Sequence, residues 1–156
     1  STSTLTEYQN KEASITVTDI RRAQHVVQIL RKDEASEIYS SQQPLSNIIK
    51  QTLISEFKKQ GLAINTQANN AIEVIIENSL ISVQQEMMKY QVNNELMIHV
   101  KVNNGEQTLS NTFKVRGTSE GPLSADIAVL ERDFNQQLTK LLTQIINNVE
   151  IRNFIK

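Results

Sequence analysis

From Met88 to Val102 the even positions read Met88, Tyr90, Val92, Asn94, Leu96, Ile98, Val100 and Val102, against Lys89, Gln91, Asn93, Glu95, Met97, His99 and Lys101. An unbroken period of two over such a length leaves room for little but an extended strand with one face buried. A tight turn at Asn93-Asn94 would move Glu95, Met97, His99 and Lys101 onto the face of Tyr90 and Val92, so Asn94 is read inside one long strand. The next break is Asn104-Gly105. Both positions of a type I′ turn need positive φ, which Asn and Gly tolerate best, so a hairpin is expected there. A two-residue loop pairs Val102 with Gln107, Val100 with Leu109, Leu96 with Phe113 and Asn94 with Val115, and it keeps the apolar residues of both strands on one face.

The rest of the chain supplies the other elements of one domain. Ile15, Val17 and Ile20 with Thr16 and Thr18 suit a half-buried strand that runs into Asp19-Ile20-Arg21-Arg22. Further extended pieces are expected at 25–31 and 37–39, and a long one at 71–83. Pro44 opens a helix whose Leu45, Ile48, Ile49, Leu53 and Phe57 recur at three-to-four-residue spacing, and Gly61 closes it. A second helix is expected over 124–149, with Ser124 as its cap and a stripe running from Ile127 to Val149, followed by a docking tail of Ile151, Phe154 and Ile155. The stripe is wider than a coiled-coil seam, so it is read as packing on the domain's own sheet. Residues 1–13 are rich in small polar side chains and are read as a flexible tether; residues 14–156 form a single domain. The expectation is an α+β fold: a mostly antiparallel sheet with helices at about 44–60 and 124–149 on one face.

Composition excludes several classes of function. With 16 Lys+Arg against 17 Asp+Glu the net charge is −1, which removes the electrostatic attraction that draws a chain to phosphate backbones or anionic lipid. No cysteine is present, so thiolate zinc sites, redox pairs and cysteine nucleophiles are out. The two histidines, His25 and His99, have no neighbouring His or Cys to complete a metal site, and the four glycines match no nucleotide-binding loop. His99 reads as a solvated imidazole and Glu73 and Glu77 as solvated carboxylates. Met87 and Met88 beside Tyr90 read as a loop packed on its own core. No cofactor, no metal and no catalytic set are expected.

The densest local charge group is Asp19, Arg21 and Arg22, which suits either an internal ion pair at the strand's exit or the recognition of a carboxylate or phosphate. On the sheet face without helices, Ile75, Ile81, Val83 and Met97 are expected to interrupt a charged surface as an apolar patch. The residues named for possible interaction are therefore Asp19, Arg21, Arg22, Ile75, Ile81 and Met97, and the patch suits either a plain monomer or a weak homodimer.

The strand ending in Asp19-Ile20-Arg21, the helix closed by Gly61, the Tyr90 to Val102 strand, the Asn104-Gly105 hairpin and the end Ile151-Arg152-Asn153-Phe154-Ile155 follow one another as in a known group. In this order of features the chain resembles the YajG family of small lipoproteins of Gram-negative bacteria. The resemblance implies a periplasmic domain held at the outer membrane by lipid on an N-terminal cysteine, which this chain lacks; the expectation is a chain that begins just after it. It carries no active-site residues across. The expected role is non-enzymatic binding of another envelope component, protein or glycan, with no nucleic acid as partner. The alternative is a carrier of a small apolar ligand held between sheet and helices.

Overall fold

The computed structural model of the protein describes residues 7–23 and 25–156. The elements follow in the order β1 (Glu12–Asp19), β2 (Val27–Arg31), β3 (Glu37–Tyr39), α1 (Leu45–Lys59), β4 (Ala63–Ile64), β5 (Ala71–Gln85), β6 (Lys89–Asn103), β7 (Thr108–Pro122), α2 (Ile127–Ile146) and α3 (Val149–Phe154). β5, β6 and β7 form the expected antiparallel meander, each strand fifteen residues long. The other edge of β5 is shared. β1 runs parallel to it from Ser14↔Ala71 to Asp19↔Ile76, and β2 runs parallel from Val27↔Ile81 to Arg31↔Gln85. β4 lies parallel outside β1 and β3 antiparallel outside β2.

The sheet is therefore mixed, which corrects the expectation of a mostly antiparallel one. Parallel neighbours need a long crossover, and the stretch between β1 and β5, which contains α1, provides it. The remainder of the α+β expectation holds, with one further element: the tail after α2 is the short helix α3, capped by Asn148. The cap of α2 is Asp126, whose carboxylate accepts from the Ala128 N–H, and not Ser124.

The hairpin keeps the expected faces but not the expected register. Val102 pairs with Leu109, Ile98 with Phe113 and Leu96 with Val115, two residues from the two-residue-loop alignment. Asn104 is the reason. Its side-chain oxygen accepts from the Glu106 and Gln107 N–H groups while its amide donates to the Phe154 carbonyl, which builds a four-residue loop; Gly105 alone takes positive φ.

A second correction lies in β5. Ile76 pairs with Ile98 but Asn78 pairs with Met97, so Glu77 is an extra residue, a β-bulge. Because side chains alternate, one extra residue reverses every face beyond it. Ile72, Val74 and Ile76 point to the helices before the bulge, and Ser79, Ile81 and Val83 do so after it. The expected apolar patch is thus divided: Ile75 and Met97 stay half-buried on the outer face, whereas Ile81 and Val83 are buried.

The same bulge splits the interior. The larger cluster packs Ile49, Leu53 and Phe57 of α1 and Leu141, Leu142 and Ile145 of α2 on the first half of β5 and on β6. The smaller one gathers Val27, Ile29, Ile81, Val83, Val92 and Leu130, and Phe134 packs against both.

Part of the segment read as tether belongs to the larger cluster. Tyr8 is fully buried, stacks edge-on against Phe57 with ring centroids 5.2 Å apart, and donates its hydroxyl to the Ile146 carbonyl at 3.0 Å. Burial pushes its phenol pKa up to about 12. Ala13 is buried too, so the packed fold starts well before Ser14, and residues 1–6 of the tether lie outside the described residues.

At the opposite end of the meander Met87 and Met88 are exposed, contrary to the expectation of a self-packed loop, and Leu123 stands beside them. The Leu123 N–H donates to the Met88 carbonyl at 2.8 Å, and the Gln85 amide donates to the Leu123 carbonyl at 2.6 Å. These bonds hold Leu123 at φ 62°, where a branched side chain is disfavoured. Replacing this exposed leucine by glycine is expected to raise the unfolding free energy by about 1 kcal/mol, read from the urea midpoint; a lowered midpoint would show that the side chain packs.

Candidate functional site

The break between β1 and β2 faces the bulge in β5. Ile20 N–H closes the first ladder on the Ile76 carbonyl and Ile81 N–H opens the second on the Val26 carbonyl, so between them β5 is paired with β6 on one edge and has no strand partner on the other. Arg21 spans the interval. Its Nη1 donates to the carbonyls of Ser79 (3.2 Å) and His25 (3.3 Å), joining β5 to the segment that leads into β2.

The guanidinium is held from the other side by Asp19. Arg21 Nη2 lies 2.7 Å from Asp19 Oδ2, Nε donates to both carboxylate oxygens, and the Arg21 N–H donates to Oδ1. The two side chains retain only 5% and 10% of their exposure, so the pair sits largely out of water. Burial pushes the Asp19 pKa up, but the side-chain and backbone hydrogen bonds from Arg21 together with its charge outweigh that, and the net shift is downward. The Asp19 and Arg21 groups named from the sequence thus meet as the strut that closes a gap in the sheet.

Around the strut the outer face is concave. One depression of about 280 Å³ is lined by Arg22, His25, Gln28, Glu77 and Asn78 above Arg21. Next to it, and sharing Asn78 and Leu80, is a shallow hollow of about 520 Å³ that extends over Ser82, Asn93, Glu95, Arg116 and Thr118. Glu95 is paired with Arg116 at 3.2 Å and faces Lys114 at 3.9 Å. Ile75 and Met97 adjoin this surface through the ladder, Met97 opposite Asn78 and Ile75 opposite His99; His99 contacts the Thr112 hydroxyl at 2.9 Å.

Of the six residues named for interaction, Arg22, Ile75 and Met97 therefore lie on or beside the concave face, Asp19 and Arg21 lie beneath it, and Ile81 is on the other side of the sheet. The polar lining from Asn78, Ser82, Asn93 and Glu95 was missed. Its signal was the switch of the apolar set from even positions, 72, 74 and 76, to odd positions, 81 and 83, which marks a bulge.

Among the described residues no group of three or more His, Asp or Glu side chains is placed to hold a metal ion, and no helix is long and apolar enough to cross a membrane.

Comparison with known proteins gives a family and a fold. A family model described as "Uncharacterized lipoprotein" matches residues 1–156. No curated protein sequence matches the chain. Among solved structures, protein XCC0632 from Xanthomonas campestris is similar with a TM-score of 0.65 at 14% identity, over 94% of this chain and 87% of that one. The rare lipoprotein B from Shewanella oneidensis has a TM-score of 0.44 at 11% identity, over 86% of this chain and 92% of that one. A minor lipoprotein from Acinetobacter baumannii has a TM-score of 0.32 at 12% identity, over 93% and 90%.

Proposed function

Since the chain belongs to the lipoprotein family that its whole length matches, consistent with the resemblance to YajG, we propose that it is a non-enzymatic domain that a lipid anchor holds at the outer membrane, facing the periplasm, where it binds another component of the cell envelope. The observation that carries the binding role is the concave outer face at the β5 bulge. It joins two depressions, it mixes amide, hydroxyl and charged side chains with Leu80, and the helices are packed on the opposite side of the sheet. Such a surface offers hydrogen bonds in many directions, which suits a protein loop or a glycan.

Two features favour binding over chemistry or carriage. Asp19 with Arg21 beneath the face and Glu95 with Arg116 on it are paired with one another. The interval between sheet and helices is occupied by fully buried side chains, among them Ile49, Leu53, Phe57, Leu141 and Ile145, where a carrier would need room for its ligand.

The test places a photoreactive side chain at Asn93, on the concave face, or at Gln136, on the exposed side of α2, in the lipidated protein in intact cells. A discrete adduct from position 93 that is absent from position 136 is the expected result, and Arg22→Glu should reduce it. Adducts of equal intensity from both positions, or none from position 93, would end the proposal.

A further inference from the structure

The sheet has two unlike margins. One ends in β3 and β4, of three and two residues; the other is β7, fifteen residues long, whose ladder partners among the described residues all lie on β6. An edge strand presents alternate N–H and C=O groups outward with no partner. The side chains of β7 are also unfinished. None of the fifteen is buried, although Leu109, Phe113 and Val115 pack against the larger core cluster and their β6 partners Val102, Ile98 and Leu96 are at most 1% exposed. The apolar face of the sheet therefore runs out to an open margin. On the opposite face of β7, Lys114 and Arg116 share the carboxylate of Glu95, so this trio of side chains carries a net positive charge.

We propose that the β7 margin, which adjoins the concave face at Arg116 but offers the free backbone edge that face lacks, takes up an extended segment of a partner protein as an added strand, with apolar side chains toward the helices and acidic ones toward Lys114 and Arg116. Each part of the proposal answers one observation. The backbone row supplies the affinity of strand addition, the half-exposed Leu109, Phe113 and Val115 supply the pocket for alternate side chains, and the two cations select the opposite face. A second copy of this chain fits poorly. An antiparallel two-fold pairing near the middle of β7 would set Lys114 and Arg116 of one copy against those of the other, and like charges on adjacent strands repel.

The probe is a capped ten-residue peptide of alternating Val and Glu, compared with an alternating Val and Lys peptide and with a Val and Glu peptide carrying N-methyl groups on alternate backbone nitrogens. Amide hydrogen exchange of the full chain is read residue by residue. The acidic peptide is expected to slow exchange at least tenfold within 108–121 and the other two to leave it unchanged, while the double variant Lys114→Gln, Arg116→Gln weakens the effect about tenfold with an unaltered urea midpoint. If the double variant loses stability, Lys114→Gln alone serves as the milder replacement and is expected to weaken the effect severalfold. Protection by the basic or N-methylated peptide equal to that by the acidic one, protection centred elsewhere, no protection by any peptide, or protection that rises with protein concentration alone would overturn the proposal.

Discussion

Phe57→Ala is expected to lower the unfolding free energy by about 3–5 kcal/mol, close to the whole stability of many domains of this size. Phe57 is fully buried in the larger core cluster, where α1, the β4 side of the sheet and the N-terminal segment meet. Its ring is also the seat of Tyr8, which stands edge-on to it and carries the hydrogen bond to the Ile146 carbonyl. Truncation thus costs the transfer and cavity terms of a buried aromatic and loosens Tyr8, so the loss should fall at the upper end of the range. Phe57→Leu, which keeps most of the volume, is expected to cost about 1–2 kcal/mol. Urea unfolding with exchange of the Tyr8 and Lys11 amides checks both; a loss under 1 kcal/mol in the alanine variant would show that the site collapses around the gap.

Arg21→Met is expected to cost about 3 kcal/mol at neutral pH. Methionine fills the space of the stem, but the Asp19 carboxylate loses its counter-charge while it stays largely out of water, and the carbonyls of Ser79 and His25 lose a donor. The pH dependence identifies the cause. In the parent the Asp19 pKa is lowered on folding, so its contribution is present above the unfolded carboxylate value of about 4 and is lost as pH falls through the lower folded value. Without the guanidinium, burial dominates and pushes the Asp19 pKa up, so the variant gains relative stability as the carboxyl takes its proton. The deficit of Arg21→Met should therefore be largest near pH 7 and shrink below about pH 4. A deficit that stays constant from pH 7 to pH 3 would place the effect in lost packing alone. Asp19→Asn combined with Arg21→Met should recover part of the loss at pH 7, since no buried charge is then left unpaired.

What the sequence made legible is what depends on neighbours along the chain. The Tyr90 to Val102 alternation, the shared face of Leu96 and Phe113, and the helix from Pro44 to Gly61 all follow from local spacing, and the structure keeps them. The partner of β1 was not legible in that way. The alternation of Ile15 and Val17 says that one face is buried but not which strand lies alongside, and the choice of a parallel neighbour was made by the crossover through α1. The hairpin register turned on a side chain: Asn104 used its amide to cap the loop and reach Phe154, where a type I′ turn would have used only its backbone. Tyr8 shows a third kind of failure. One aromatic in a polar stretch gives no period, yet its contact with Phe57 and Ile146 orders the segment. The candidate site combined these effects: Asp19 and Arg21 stood out as charges, but the concave surface above them exists because Glu77 is an extra residue, and the face of every side chain beyond it changed with it.

β1 enters the sheet at the same end as β5 and runs beside it in the same direction, with six consecutive ladder pairs from Ser14↔Ala71 to Asp19↔Ile76. Ahead of β1, Tyr8 is tied to Ile146 and Lys11 to the Arg152 carbonyl, so the entry of the chain is fastened to its last two helices. A tensile force applied at the N-terminal side along the strand direction, with the sheet held at its far end, would act on β1 in shear and load all six pairs together instead of peeling them one by one. Under such a load the Tyr8 and Lys11 ties would part first, and the β1–β5 ladder would then carry the force, the arrangement of a mechanical clamp.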